Sequence, residues 1–161
     1  MNGTVVIGVG NPARGDDAAG LEVVRRVRAS SQAAAAFRES NGDAAALMDM
    51  WTGYARAIVA DAAHGGGAAG HVHRFQAERG PLPAALLATS THDFGVACAV
   101  ELARALGRLP PEVVVYAIEG EDYSHGRELS AAVEAAVAAL VPRIREELTS
   151  RELAATEGRH A

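Results

Sequence analysis

Residues 4–9, TVVIGV, decide the fold together with the loop that follows them, Gly10-Asn-Pro-Ala-Arg-Gly-Asp-Asp17. Five of the six residues in that run are β-branched and none is charged. A continuous apolar run of this length, closed by a glycine-rich turn, predicts a strand buried on both faces. Two further runs read the same way, residues 56–61 (RAIVAD) and 112–118 (EVVVYAI). Weaker strand signals lie near 37–39 and at 71–75 (HVHRF), where alternation predicts an edge strand. Between them the apolar period changes to that of a helix. Residues 17–28 place Leu21, Val24 and Val27 on one face and Arg25, Arg26 and Arg28 on the other, with Asp16 as the expected N-cap. Asp43 is expected to cap a short helix to about Met50. Ser90 or Thr91 is expected to cap a long one that ends at Leu106, before Gly107 and the prolines at 110 and 111. Residues 129–148 form a last, alanine-rich helix. Strands alternating with helices predict a single α/β domain over residues 1–150, with a mainly parallel, twisted sheet of about five strands and helices on both faces. Residues 151–161 read as a polar, frayed tail.

The 161 residues suit one domain, and a net charge of −5 with no basic block argues against nucleic acid and anionic membranes as partners. The single cysteine, Cys98, cannot form an internal disulfide and lies in an apolar helical stretch, where a small buried hydrophobe is expected. No apolar run is long enough to span a bilayer, and the amino-terminal run is too short for a signal peptide. Cytoplasm is therefore the expected location, and a monomer the expected state.

In parallel α/β sheets ligands bind beyond the carboxyl ends of the strands. Three polar residues fall there: Asp17 after the first strand, Asp61 at the end of RAIVAD, and His92 in Ser90-Thr-His-Asp-Phe-Gly95. They are 44 and 31 residues apart, about one βα unit each, so separate segments can converge on one sheet edge. Two carboxylates and an imidazole suit a divalent metal with nitrogen and oxygen donors. A helix N-terminus disfavours imidazolium, which would keep His92 in the neutral form that binds metal. The same residues also admit plainer roles, Asp17 as a helix-start acid and His92 as a cap. Asp61 is harder to explain that way, because an acid closing an apolar strand needs a partner or a place at the rim. His64 could reach a site beside Asp61. His71 and His73 share one strand face, but no third donor is evident near them. His125 and His160 read as surface residues.

Gly8-x-Gly10-x-x-Ala13 formally fits a dinucleotide fingerprint. However, Pro12 and Gly15 delay the helix, and two carboxylates stand where phosphate would sit. No His-Glu-x-x-His or Gly-x-Ser-x-Gly signature is present.

Taken together, the motifs resemble those of the hydrogenase maturation proteases. The family's opening G-x-G-N-x-x-x-x-D-D stands as Gly8-Val-Gly-Asn-Pro-Ala-Arg-Gly-Asp-Asp17, its strand-ending aspartate as Asp61 in IVADA, and its histidine motif as STHDFG around His92. The stretch ELARALGRLPPEVVVYAIEG resembles the helix, loop and strand that follow. The resemblance runs from about residue 4 to 148. It implies an αβα sandwich and an endopeptidase that removes a C-terminal extension from the large-subunit precursor of a nickel–iron hydrogenase after nickel insertion. It also implies that Asp17, Asp61 and His92 contact nickel supplied by the substrate, with Asp16 a possible helper and no tightly bound cofactor. A non-catalytic, nickel-checking or chaperone-like paralogue binding the same precursor would carry the same residues. A small dinucleotide-binding domain is the third reading.

Overall fold

A computed structural model describes residues 2–83 and 95–159. The chain opens with β1 (Thr4–Val9), a 3-10 turn (Gly15–Ala18) and α1 (Ala19–Ser30). It continues through β2 (Ala35–Ser40), α2 (Ala44–Trp51), β3 (Arg56–Ala63), β4 (Val72–Gln76) and a second 3-10 turn (Ala77–Arg79). It closes with α3 (Gly95–Ala105), β5 (Glu112–Glu119) and α4 (Ala131–Glu157). The five strands form one sheet in the order β2-β1-β3-β5-β4. All neighbours are parallel except β4, which runs antiparallel to β5 at the edge.

The apolar runs form central strands because both of their faces are covered. Val5, Ile7, Val9, Val59 and Val115 pack against α2 and α3, whose Leu47, Trp51, Val96 and Val100 are buried. Val6, Ile58, Val114 and Ile118 pack on the other side against Val23, Val24, Val137, Leu140 and Ile144 of α1 and α4. Burial of each such side chain stabilises the fold by roughly 1.5–3 kcal/mol. Asp43 caps α2 as expected, its Oδ1 accepting the Ala46 N–H at 2.8 Å.

Three sequence expectations are corrected. Asp16 does not cap α1; residues 15–18 form a 3-10 turn, Ala18 is the N-cap residue, and neither makes a side-chain cap bond. Strand β3 runs two residues past Asp61, to Ala63. The last helix continues through the polar tail to Glu157, where Glu152 accepts the Ala34 N–H and Arg151 pairs with Glu112. The caps expected at Ser90 or Thr91 lie outside the described residues. Cys98 sits half-buried in α3.

The connection β1–α1–β2 leads one way along the sheet, and β2–α2–β3 crosses back past β1 to the other side. The order therefore switches between β1 and β3, which opens a crevice at their carboxyl ends. Helix α1 is drawn tightly over it. A Cβ on Gly20 would fall 2.2 Å from the Ala60 carbonyl oxygen, and one on Gly8 would fall 2.4 Å from the Gly20 carbonyl oxygen. Only glycine allows this approach.

Candidate active site

The loop after β1 builds one wall of the crevice. Gly10 N–H bonds the Ser40 carbonyl at 3.0 Å, and Ala13 N–H bonds the Asn11 side-chain oxygen at 2.9 Å. Asp17 N–H bonds the Arg14 carbonyl at 3.0 Å, which closes the turn. Gly10 lies against the Asp17 backbone, where a Cβ would come within 2.0 Å of the carbonyl oxygen.

Adjacent residues in this tight turn point apart, so the two aspartates do different work. Asp16 is fully buried. Its Oδ1 accepts the Ser130 N–H at 2.7 Å, and its Oδ2 accepts the N–H groups of Glu121 and Asp122 at 2.8 and 3.0 Å and the Ser130 hydroxyl at 2.9 Å. Ser130 is the N-cap residue of α4, so the Asp16 carboxylate ties the β1 loop to the start of that helix. With its acceptor sites filled, Asp16 is a brace, and little remains of it to help at a metal.

Asp17 turns the other way. Its Oδ2 accepts the Asn11 N–H at 3.1 Å, and its Oδ1 lies 3.9 Å from His64 Nε2. Asp61 projects from β3 on the same sheet face as Ala57, Val59 and Ala63, at full burial. Its Oδ1 accepts the Ala62 N–H at 2.8 Å, whereas its Oδ2 has no partner among the described residues. Burial pushes the Asp61 carboxyl well above the ordinary 3.8; the Ala62 N–H opposes this and the nearby charge of Asp17 adds to it. An unpartnered carboxylate oxygen at zero exposure is costly, roughly 1–3 kcal/mol or more, and natural folds keep such atoms mainly where function uses them.

The structure thus brings Asp17 and Asp61 to one crevice. His92, the third predicted residue, lies outside the described residues. Among the described residues, no three His, Cys, Asp or Glu donors stand close enough to hold an ion by themselves. Asp17 and Asp61 alone are too few donors to hold a metal ion, so a metal there needs further donors, for instance from a substrate.

Sequence reading noted His64 and passed over two of its neighbours. The His64 ring stacks on Tyr123, centroids 4.0 Å apart and planes 23° apart. The Tyr123 hydroxyl donates to the Ala63 carbonyl at 2.6 Å and accepts from Gly120 N–H at 3.1 Å; burial pushes its pKa up to about 12. Glu119, the last residue of β5, is 1% exposed. Its Oε2 accepts the Gly65 N–H at 3.1 Å, and its Oε1 lies 3.1 Å from His73 Nε2. Its signal was the one used for Asp61, an acid closing an apolar strand. His73 accordingly has a carboxylate partner, while His71 is exposed and meets the His73 ring edge-on at 4.6 Å. A cleft of about 750 Å³ lies at the opposite end of the sheet, beside Thr4, Arg56 and Arg151, and contains none of these residues.

The fold matches solved structures of enzymes that process hydrogenases. Against the hydrogenase maturating endopeptidase HybD from E. coli the TM-score is 0.75, at 20% identity over 92% of this chain and 93% of that one. Against the [NiFe] hydrogenase maturation protease HycI from Thermococcus kodakarensis KOD1 it is 0.68, at 20% identity over 91% and 92%. Against the hydrogenase 2 maturation peptidase from Thaumarchaeota archaeon SCGC_AB-539-E09 it is 0.66, at 26% identity over 91% and 97%. No curated protein matches by sequence. The architecture is thus the α/β fold of these structures, with its crevice at the β1–β3 switch point. The profile described as "Hydrogenase maturation protease" matches residues 41–147, about two thirds of the chain. The protein belongs to the hydrogenase maturation protease family, whose members are hydrolases of peptide bonds. The matched stretch contains Asp61 and His92, and the fold adds Asp17 from the preceding loop.

Proposed function

We propose that this endopeptidase removes the C-terminal extension from the large-subunit precursor of a nickel–iron hydrogenase after nickel has been inserted, and that the substrate's nickel is what it recognises. The observation that carries the reading is the fully buried Oδ2 of Asp61, which has no partner among the described residues and lies close enough to Asp17 to feel its charge. Asp17, Asp61 and His92 are the residues assigned to contact the nickel. Three protein donors leave coordination positions for the substrate's own ligands, so no resident metal is required.

Peptide hydrolysis needs water to add to the scissile carbonyl, a base to take the water's proton, and an acid to return a proton to the leaving amine. A metal beside the carbonyl polarises it. Asp61, whose carboxyl burial pushes up, is the carboxylate suited to assist the proton transfer to the leaving amine. Asp17, at the rim and bonded to Asn11 N–H, is suited to orient the water. No helix among the described residues is long and apolar enough to cross a membrane. We place the reaction in the cytoplasm, with the protein acting as a monomer.

The test is His92→Ala assayed on the loaded precursor. Loss of cleavage with an unchanged melting temperature supports the assignment, and processing at the wild-type rate refutes it.

A further inference from the structure

One histidine in the crevice is held as a metal donor would be, yet no family motif contains it. His64 follows β3 directly and opens the loop HGGGAAG, residues 64–70. Its ring is fixed from two sides. Tyr123 stacks on it at 4.0 Å and is itself anchored to Ala63 and Gly120. The next residue, Gly65, is pinned through its N–H to the buried Glu119.

So fixed, the Nε2 atom is buried and has no hydrogen-bond partner among the described residues. It faces Asp17 Oδ1 at 3.9 Å, too far for a hydrogen bond. An ion bonded at about 2.1 Å to a nitrogen and to an oxygen can span donors up to about 4.2 Å apart. The gap between His64 Nε2 and Asp17 Oδ1 is of that size. His73 offers no comparable donor, because its Nε2 already lies against Glu119.

We propose that His64 is a further metal-contacting residue, its Nε2 pairing with Asp17 Oδ1 to grip the nickel ion carried by the precursor. This rests on the function proposed above and adds a donor belonging to this chain. It also accounts for the glycine loop: Gly65 and Gly67 lie against Glu119, where a side chain on Gly67 would press on the carboxylate at 3.3 Å, so the loop start is packed to hold His64 still.

The experiment is a titration of the full-length, 15N-labelled protein with Zn2+, a diamagnetic ion that takes nitrogen and oxygen donors. Imidazole 1H–15N spectra are followed together with calorimetry on wild type, His64→Gln, Asp17→Asn, Asp61→Asn and His71→Gln. The His64 Nε2 resonance should move on zinc addition. Kd should rise at least about tenfold in His64→Gln and Asp17→Asn and stay within about twofold in His71→Gln. Binding weakened by Asp17→Asn and Asp61→Asn, with the His64 Nε2 signal still and His64→Gln unaffected, overturns the role of His64 and leaves the two-aspartate site standing. No zinc binding up to millimolar, or binding indifferent to all three residues, overturns the role of His64, while the function reading stands or falls separately on cleavage of the nickel-loaded precursor.

Discussion

Replacing Asp16 by alanine should strongly destabilise the protein, whereas changing its neighbour Asp17 to asparagine should hardly affect stability. The Asp16 carboxylate is fully buried and accepts three backbone N–H groups, from Glu121, Asp122 and Ser130, besides the Ser130 hydroxyl. Alanine leaves those amides without an acceptor and takes a negative charge from the N-terminus of α4. At about 1.5 kcal/mol for each charged hydrogen bond, the three amides alone amount to about 4–5 kcal/mol. Domains of this size hold only about 5–15 kcal/mol in total. A melting temperature falls by about 2–4 °C per kcal/mol at this length, so the expected drop is about 10–15 °C. Asp17→Asn keeps an oxygen for the Asn11 N–H, the one hydrogen bond of the Asp17 carboxylate among the described residues, and should cost within about 1 kcal/mol. The assay is thermal unfolding by circular dichroism at pH 7 on both variants. A melting point of Asp16→Ala within about 3 °C of wild type would refute the claim that this carboxylate braces α4 to the β1 loop.

Other expectations follow from the same geometry. Asp61 holds its proton more tightly folded than unfolded, so its contribution to stability falls as pH rises from the ordinary 3.8 toward its raised value. Asp61→Asn should therefore melt higher than wild type at pH 7, with the gap closing near pH 4; a pH-independent gap would contradict the burial argument. Glu119→Ala frees the Gly65 N–H, and hydrogen exchange there should speed at least about tenfold while the central strand amides are unchanged. Gly20→Ala forces a methyl against the Ala60 and Val9 carbonyl oxygens and should cost at least about 3 kcal/mol, read as a lower urea midpoint.

The sequence disclosed what local chemistry determines. TVVIGV, RAIVAD and EVVVYAI could satisfy their apolar side chains only as strands covered on both faces, and β1, β3 and β5 are those strands. Asp43 formed its cap because the partner amide is three residues away. Asp61 was conspicuous because a carboxylate interrupts an apolar run. What stayed hidden was non-local. Asp16 looked like a helix cap, but its partners lie more than 100 residues away, in the approach to α4. The Tyr123 stack on His64 joins two loops that only the β3–β5 pairing brings together. The length of the last helix also stayed hidden: residues 149–157 are mostly good helix formers, and the helix that continues through them contacts Glu112 and Ala34.

The most direct test of the central claim is to incubate the purified protein with nickel-loaded and nickel-free hydrogenase large-subunit precursor and to follow the precursor's mass. The account predicts loss of a short C-terminal peptide from the loaded form alone. Equal cleavage of both forms would contradict the nickel check, and binding of the loaded form without cleavage would contradict the protease.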